Sequence, residues 1–372
     1  MIREQLKVVI LAMGIYLVMW VLLIFPYMLV SGQEWKNFQR NYAIYVSVCL
    51  LILIGCRHIS VGADTEQYEY LYSISAQQIS PEKYDQGYYL FSNFFHRLGF
   101  SYTAYNFVVA LVLVSTLVLF YATYSKNIAF STLVFMTIGL LPMYMSGTRQ
   151  SLAISICLIA MIWADKHRGI VHVVISCLLV ALASTFHASA VVGFAAIALI
   201  ILRLRLSKQS LLILILVAAA AMVYRNYVAR FAQYFVPEKY MSYDLNADYR
   251  INPLLILISI LIPAFCVIFD TEVQYDGKYS AERTWLYLFS CVNILLTILA
   301  QNSMYFSRLA YYFVHANSII ISNTIVEQRL RTNTYIMYIA IGVICMLYFL
   351  ISIPGGTLRI DQYAFFWQQN GM

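Results

Sequence analysis

The chain predicts an all-α, polytopic membrane fold of about twelve transmembrane helices, on three observations. Hydrophobic residues make up 62% of the 372 positions and charged ones only 11%, whereas a soluble domain carries about 25% charged residues. The apolar runs are long and continuous, with none of the period-two alternation of a membrane β-barrel. In lipid, backbone N–H and C=O groups must be satisfied within the spanning segment, so such runs are helices. The basic residues, finally, gather mainly between the runs, where topology and anionic lipid account for them.

Taking roughly 20 residues per span, the sequence predicts spans near 8–30, 41–56, 105–124, 128–146, 150–164, 170–186, 188–202, 210–224, 251–269, 284–302, 307–326 and 335–353. The first run is too long for a signal-peptide core and lacks a small-residue cleavage site, so it counts as a span. Lys126, Lys166 with Arg168, the stretch Arg203 to Lys208, and Glu327 with Arg329 and Arg331 mark short, densely basic links. By the positive-inside rule these are cytoplasmic, which leaves both termini and the longer links outside. No internal repeat or flexible linker interrupts residues 1–372, so one membrane domain is expected.

Two outer connections, 57–104 and 225–250, are long enough for structure of their own. Asp64 followed by Gln67 is a capping-box start, and Ser80-Pro81-Glu82 is a second helix N-terminus signature. Each predicts a short helix. In the second, Tyr84, Tyr88, Phe91 and Phe95 fall on one face, as in a helix lying at the membrane interface.

Several classes of chemistry drop out. Cys49, Cys56, Cys157, Cys177, Cys266, Cys291 and Cys345 lie in or beside apolar runs with no paired spacing, so neither a disulfide framework nor a metal site is indicated. Phosphate-loop, dinucleotide, metalloprotease and nucleophile-elbow motifs are missing, as is a D-x-D pair. The sequence thus calls for no cofactor and no metal, and the net charge of +7 implies no nucleic-acid partner.

Charged groups at span ends are costly in lipid, about 2.5–3.5 kcal/mol for an arginine at mid-bilayer, and so mark functional candidates. Arg57 closes the second span, Arg149 sits between the fourth and fifth, His187 joins the sixth and seventh, and Arg308 opens the eleventh. In the predicted topology all four face the outer side, at the level of a lipid-linked phosphate head group. Guanidinium suits phosphate because it stays charged and offers a planar fork of donors. Singly, each arginine could equally be a snorkelling anchor, and Asp64 could be only a helix cap.

At Arg57-His-Ile-Ser-Val-Gly-Ala-Asp-Thr-Glu-Gln-Tyr68 the chain resembles the R-x-x-x-V-G-T-D-T-x-x-Y signature of the EpsG-like family of Wzy-type polysaccharide polymerases. Ala63 departs from it, standing where threonine is usual. Tyr84-Asp-Gln-Gly-Tyr88 is similar to the family's acidic-x-Gly-Tyr segment, Thr148-Arg149-Gln150-Ser151-Leu152-Ala153 to its R-Q-x-x-A start, and Phe186-His187-Ala188-Ser189-Ala190 to its F-H-x-S-A link. Arg308 with Tyr311, Tyr312 and Phe313 matches a looser late motif, so the likeness runs in order from about residue 40 to 320.

The resemblance implies an enzyme of the bacterial cytoplasmic membrane, working at its outer face on undecaprenyl-diphosphate-linked oligosaccharides. It would transfer the growing chain from its lipid diphosphate to a hydroxyl of the incoming unit. Arg57, Arg149 and Arg308 would then bind diphosphate and stabilise the departing charge, and Asp64 or His187 would deprotonate the acceptor. Histidine has the better ordinary pKa for neutral pH, and Asp64 the more specific motif. Tyr68, Tyr88, Gln150 and Tyr311 are the expected substrate contacts, and a chain-length regulator and a flippase the expected protein partners. The competing functions are a lipid-linked oligosaccharide flippase or transporter, for which inverted repeats are lacking, and another glycan-transferring enzyme such as an O-antigen ligase.

Overall fold

The computed structural model describes residues 2–29, 35–75, 85–225, 227, 230, 234, 253–328, 331–353 and 358–368. In chain order the helices are α1 (Ile2–Leu29), α2 (Trp35–Gly55), α3 (Thr65–Ser75), α4 (Gln86–Arg97), α5 (Tyr102–Tyr124), α6 (Ile128–Thr137), α7 (Leu140–Ser146), α8 (Thr148–Lys166), α9 (Ile170–Phe186), α10 (Gly193–Ile201), α11 (Lys208–Ala220), α12 (Pro253–Phe269), α13 (Ala281–Leu299), α14 (Met304–Ala310), α15 (His315–Val326) and α16 (Arg331–Ser352). A 3-10 turn, Ala188–Val192, precedes α10. Among the described residues extended pairing is confined to two isolated bridges, Arg57 with Phe365 and Ser207 with Lys278.

This is a polytopic membrane protein. Four helices are long and apolar enough to cross a bilayer, in Val9–Pro26, Tyr102–Tyr124, Ala281–Leu299 and Thr334–Ser352, and the bent pair α6 and α7 makes a fifth if it is one span. Five further apolar stretches, among them Asn41–Gly55 and Pro253–Phe269, are shorter than the roughly 20 residues a straight span needs. Two runs that read as single spans are broken. Gly139, at φ +90°, lets the chain turn by 69° between α6 and α7, and the run 307–326 divides at residues 311–314 between α14 and α15.

Side-chain caps fix several starts: Ser101 accepts from the Ala104 N–H at 3.3 Å, Asn127 from Phe130 at 3.1 Å and Ser280 from Arg283 at 3.1 Å. The expected start at Ser80-Pro81-Glu82 lies outside the described residues; the helix that follows begins at Gln86. Its aromatic face turns toward protein, with Phe91 and Phe95 each 6.0 Å from the Tyr105 ring and Phe91 6.0 Å from Phe186. Leu90 and Phe94 are its exposed apolar groups instead.

The helices gather into two compact units. The first comprises Met1–Ile159, Ala181–Ala188 and Ala340–Met372. Within it α2 lies close along α5 because Gly55 offers no side chain: a Cβ there would come within 3.0 Å of Phe107. The second comprises Ala160–Val180 and Ser189–Ile339. Four of its links share one end, through Arg203 to Asp165 at 3.4 Å, Lys166 to Glu282 at 3.0 Å, the Tyr279 N–H to Leu206 O at 3.0 Å and the Thr271 hydroxyl to Glu327 O at 3.1 Å. Beneath them Arg283, 4% exposed, is held by Asp270 at 2.7 Å and Glu327 at 3.0 Å, while the Tyr287 hydroxyl donates to Asp270 at 2.6 Å.

Candidate functional site

The chain leaves α2 at Arg57 and pairs with residues 358–368 from the far end of the sequence. Arg57 bridges Phe365, the His58 N–H donates to Ala364 O at 2.8 Å and the Phe366 N–H to Cys56 O at 2.9 Å. Further along, Gly62 and Ala63 donate to Arg359 O at 3.2 Å and Leu358 O at 3.1 Å. Two buried tyrosines fasten this strap: the Tyr16 hydroxyl donates to Ile360 O at 2.9 Å and the Tyr363 hydroxyl to Leu53 O at 2.8 Å.

The spacing of the first motif follows from this turn. Gly62 sits at φ +96° with the Met145 carbonyl 2.5 Å from where a Cβ would stand, so only glycine fits. Val61 is fully buried, and the Thr65 hydroxyl donates back to Val61 O at 2.7 Å. Asp64 stands exposed in the turn that starts α3, its carbonyl accepting the Tyr68 N–H at 3.0 Å.

Arg57 is 4% exposed. Its Nη1 donates to Ile54 O, its Nε makes no hydrogen bond, and among the described residues no carboxylate reaches ion-pair distance. Its electrostatic neighbours are the phenols of Tyr102, Tyr363, Tyr16 and Tyr88. Burial draws its pKa below the usual value, with these phenols opposing; an arginine so placed is still a cation.

Arg149, in the first turn of α8, is the second cation of this end. Its Nη1 lies 3.4 Å from Asp85 Oδ2, and its guanidinium carbon 5.8 Å from the centroid of the Tyr68 ring. Tyr68 in turn packs on Tyr88, ring centroids 5.6 Å apart, and Tyr88 lies within electrostatic reach of both arginines. Burial pushes both phenols upward in pKa, Arg149 pulling Tyr68 the other way, so both are neutral at physiological pH. The buried Tyr88 hydroxyl makes no well-aligned hydrogen bond, and Gln150 is buried beside Arg149.

His187 belongs to the same unit and the same end. It is buried directly after α9, where Gly87 of α4 packs so closely that a Cβ there would lie 3.0 Å from Phe186. Arg57, Tyr68, Tyr88, Arg149, Gln150, Asp64 and His187 are therefore brought to one end of the first unit. Arg308 and Tyr311 belong to the second, where Arg308 is half-buried with its Nη2 4.0 Å from Met304 Sδ. Next to them the buried Tyr312 hydroxyl meets Ser189 at 3.2 Å, joining the late aromatic motif to the F-H-x-S link.

Residues 40–365 match the model of the EpsG family. The chain belongs to the EpsG family, the family of Wzy-like polysaccharide polymerases. No curated protein and no solved structure matches it. For this EpsG protein the matched stretch runs past the late arginine motif and into the strap, ending at the residue that bridges Arg57.

Sequence reasoning gave no role to Asp85 and did not foresee the strap. Asp85 had a signal, since it lies inside the quoted acidic-x-Gly-Tyr segment. Of the tyrosines in the second outer connection, 225–250, Tyr227 and Tyr234 are exposed and the others lie outside the described residues.

Proposed function

We infer that this EpsG-family protein is a polysaccharide polymerase acting on undecaprenyl-diphosphate-linked units at the outer face of the cytoplasmic membrane. It transfers the growing chain from its lipid diphosphate to a hydroxyl of the incoming unit. The observation that carries the reading is Arg57, a buried guanidinium with no carboxylate in ion-pair distance among the described residues. Burying an uncompensated cation is expensive, and it is reasonable chemistry only where a mobile anion arrives. A diphosphate supplies that charge, and a pair of oxygens on one of its phosphorus atoms suits the guanidinium fork.

Arg149 gives the second diphosphate contact, with Tyr68 and Tyr88 as neutral walls and donors between the cations. As the bond from the anomeric carbon to the diphosphate breaks, charge grows on the leaving oxygens, and cations fixed in place stabilise it without reorganising. Arg308 is assigned diphosphate binding on the strength of its motif alone. The base is drawn from the acidic and imidazole groups at the Arg57 end, Asp64 and His187 among them.

Complementation of a polymer-deficient strain tests this. Arg57→Ala and Arg149→Ala, at matched membrane levels, are expected to leave single repeat units where the parent gives a ladder. Full ladders from both variants would sink the diphosphate role.

A further inference from the structure

Asp85 stands at the N-cap position of α4, yet its side chain makes no cap hydrogen bond. A capping carboxylate normally accepts an N–H from the first turn, and here Oδ2 faces Arg149 Nη1 instead. At 3.4 Å that pair is longer than a tight guanidinium–carboxylate bond. Both side chains are about one-fifth exposed, 23% and 20%, so neither is sealed in the interior. Gly87, two residues on, lets this start of α4 press against Thr185 and Phe186 beside His187. Asp64, by contrast, is exposed in the turn before α3.

We propose that Asp85 is the general base of the transfer, released for that role when the substrate diphosphate takes over Arg149. This rests on the diphosphate reading of the same site. A diphosphate brings more charge and more acceptor oxygens to Arg149 than one carboxylate, so it replaces Asp85 there. The carboxylate, displaced from Arg149, then faces a phosphate where it had faced a cation, and it holds a proton more strongly for that reason. The base is thus armed only when donor substrate is bound.

The step balances. Asp85 takes the proton of the acceptor hydroxyl as its oxygen bonds to the anomeric carbon of the growing chain. The bond from that carbon to the diphosphate breaks, its electron pair leaving on the phosphate oxygen beside the arginines. The proton then passes to the departed diphosphate, and Asp85 returns to Arg149.

The test pairs ladder formation in the complemented strain with binding of undecaprenyl diphosphate by the purified full-length protein in nanodiscs. Asp85→Asn is expected to cut polymerisation by about a hundredfold or more while binding the diphosphate as tightly as the parent or more so. Asp85→Ser keeps an oxygen able to cap α4 but no proton acceptor, and it should fail in the same way, which separates loss of the base from loss of the helix. Full ladders from either variant overturn the proposal. So does a parallel loss of binding and polymer, which would make Asp85 a holder of Arg149. A parent protein that does not bind undecaprenyl diphosphate would sink the underlying diphosphate reading instead.

Discussion

Arg57 and Phe365, 308 positions apart in sequence, face each other across an antiparallel bridge, so the loop carrying the buried cation is shaped by the far end of the chain. The pairing extends on both sides through His58 to Ala364 and Phe366 to Cys56. Phe366→Pro removes the N–H that reaches Cys56 O and is expected to cost about 0.5–1.5 kcal/mol locally, loosening the loop around Arg57. Phe366→Ala keeps that N–H and serves as the control. Membrane levels should match for both, with ladders shortened only in the proline variant. Equal ladders from the two would show that the strap does not shape the site.

Gly62→Ala is a sharper probe of the same loop. The added methyl meets the Met145 carbonyl and the Thr65 hydroxyl at a backbone φ of +96°, a combination worth about 1–3 kcal/mol of strain. The expected result is a lower thermal midpoint and a loss of polymer together. A variant as stable as the parent would mean that the loop relaxes without consequence.

Stability and function should part company at Arg57. Replacing an uncompensated buried cation with a hydrophobic group of similar length is neutral or stabilising, by about 1–4 kcal/mol where buried ion pairs have been replaced in this way. Arg57→Met is therefore expected to melt no lower than the parent while making no polymer. A less stable but active Arg57→Met would show a structural cation, balanced by something other than a substrate.

Tyr68 and Tyr88 contribute to the alkaline limit, together with other buried tyrosines of the chain. Burial raises both phenols above the ordinary value, so the folded state holds their protons more tightly than the unfolded chain does. Stability from this source is complete below the unfolded pKa of about 10 and falls as pH rises beyond it. Tyr68→Phe removes one such group and should flatten the decline above pH 10, leaving the neutral range unchanged. A decline of the same slope in Tyr68→Phe would assign the alkaline loss elsewhere.

The parts of this architecture written locally in the sequence were legible, and the parts made by distant pairing were not. Long apolar runs give α1, α5 and α16 nearly to their ends, since composition alone decides them in lipid. The kink between α6 and α7 escaped because Gly139 and Pro142 leave the run apolar while altering its backbone. Arg57 and Arg149 could be picked out because charge at a span end is costly wherever the neighbours lie, and Tyr68 by its place in the first motif. Asp85 was quoted within its segment but given no role, since nothing local shows that its side chain lies on Arg149. The strap carried no signal: Phe365, Phe366 and Trp367 form an aromatic cluster with no periodicity, and their pairing partner lies three hundred residues away.

Arg283 offers the opposite case to Arg57. It too is 4% exposed, but Asp270 and Glu327 hold it at 2.7 and 3.0 Å, and Tyr287 shares Asp270. Removing one member of a buried network leaves the others as uncompensated charge, at about 3–5 kcal/mol. Arg283→Ala is thus expected to lower the thermal midpoint and the amount of protein in the membrane, with any surviving molecules still producing full-length ladders. Normal membrane levels with the ladder abolished would reverse the contrast, giving Arg283 a share in the chemistry and leaving its acidic partners in need of another explanation.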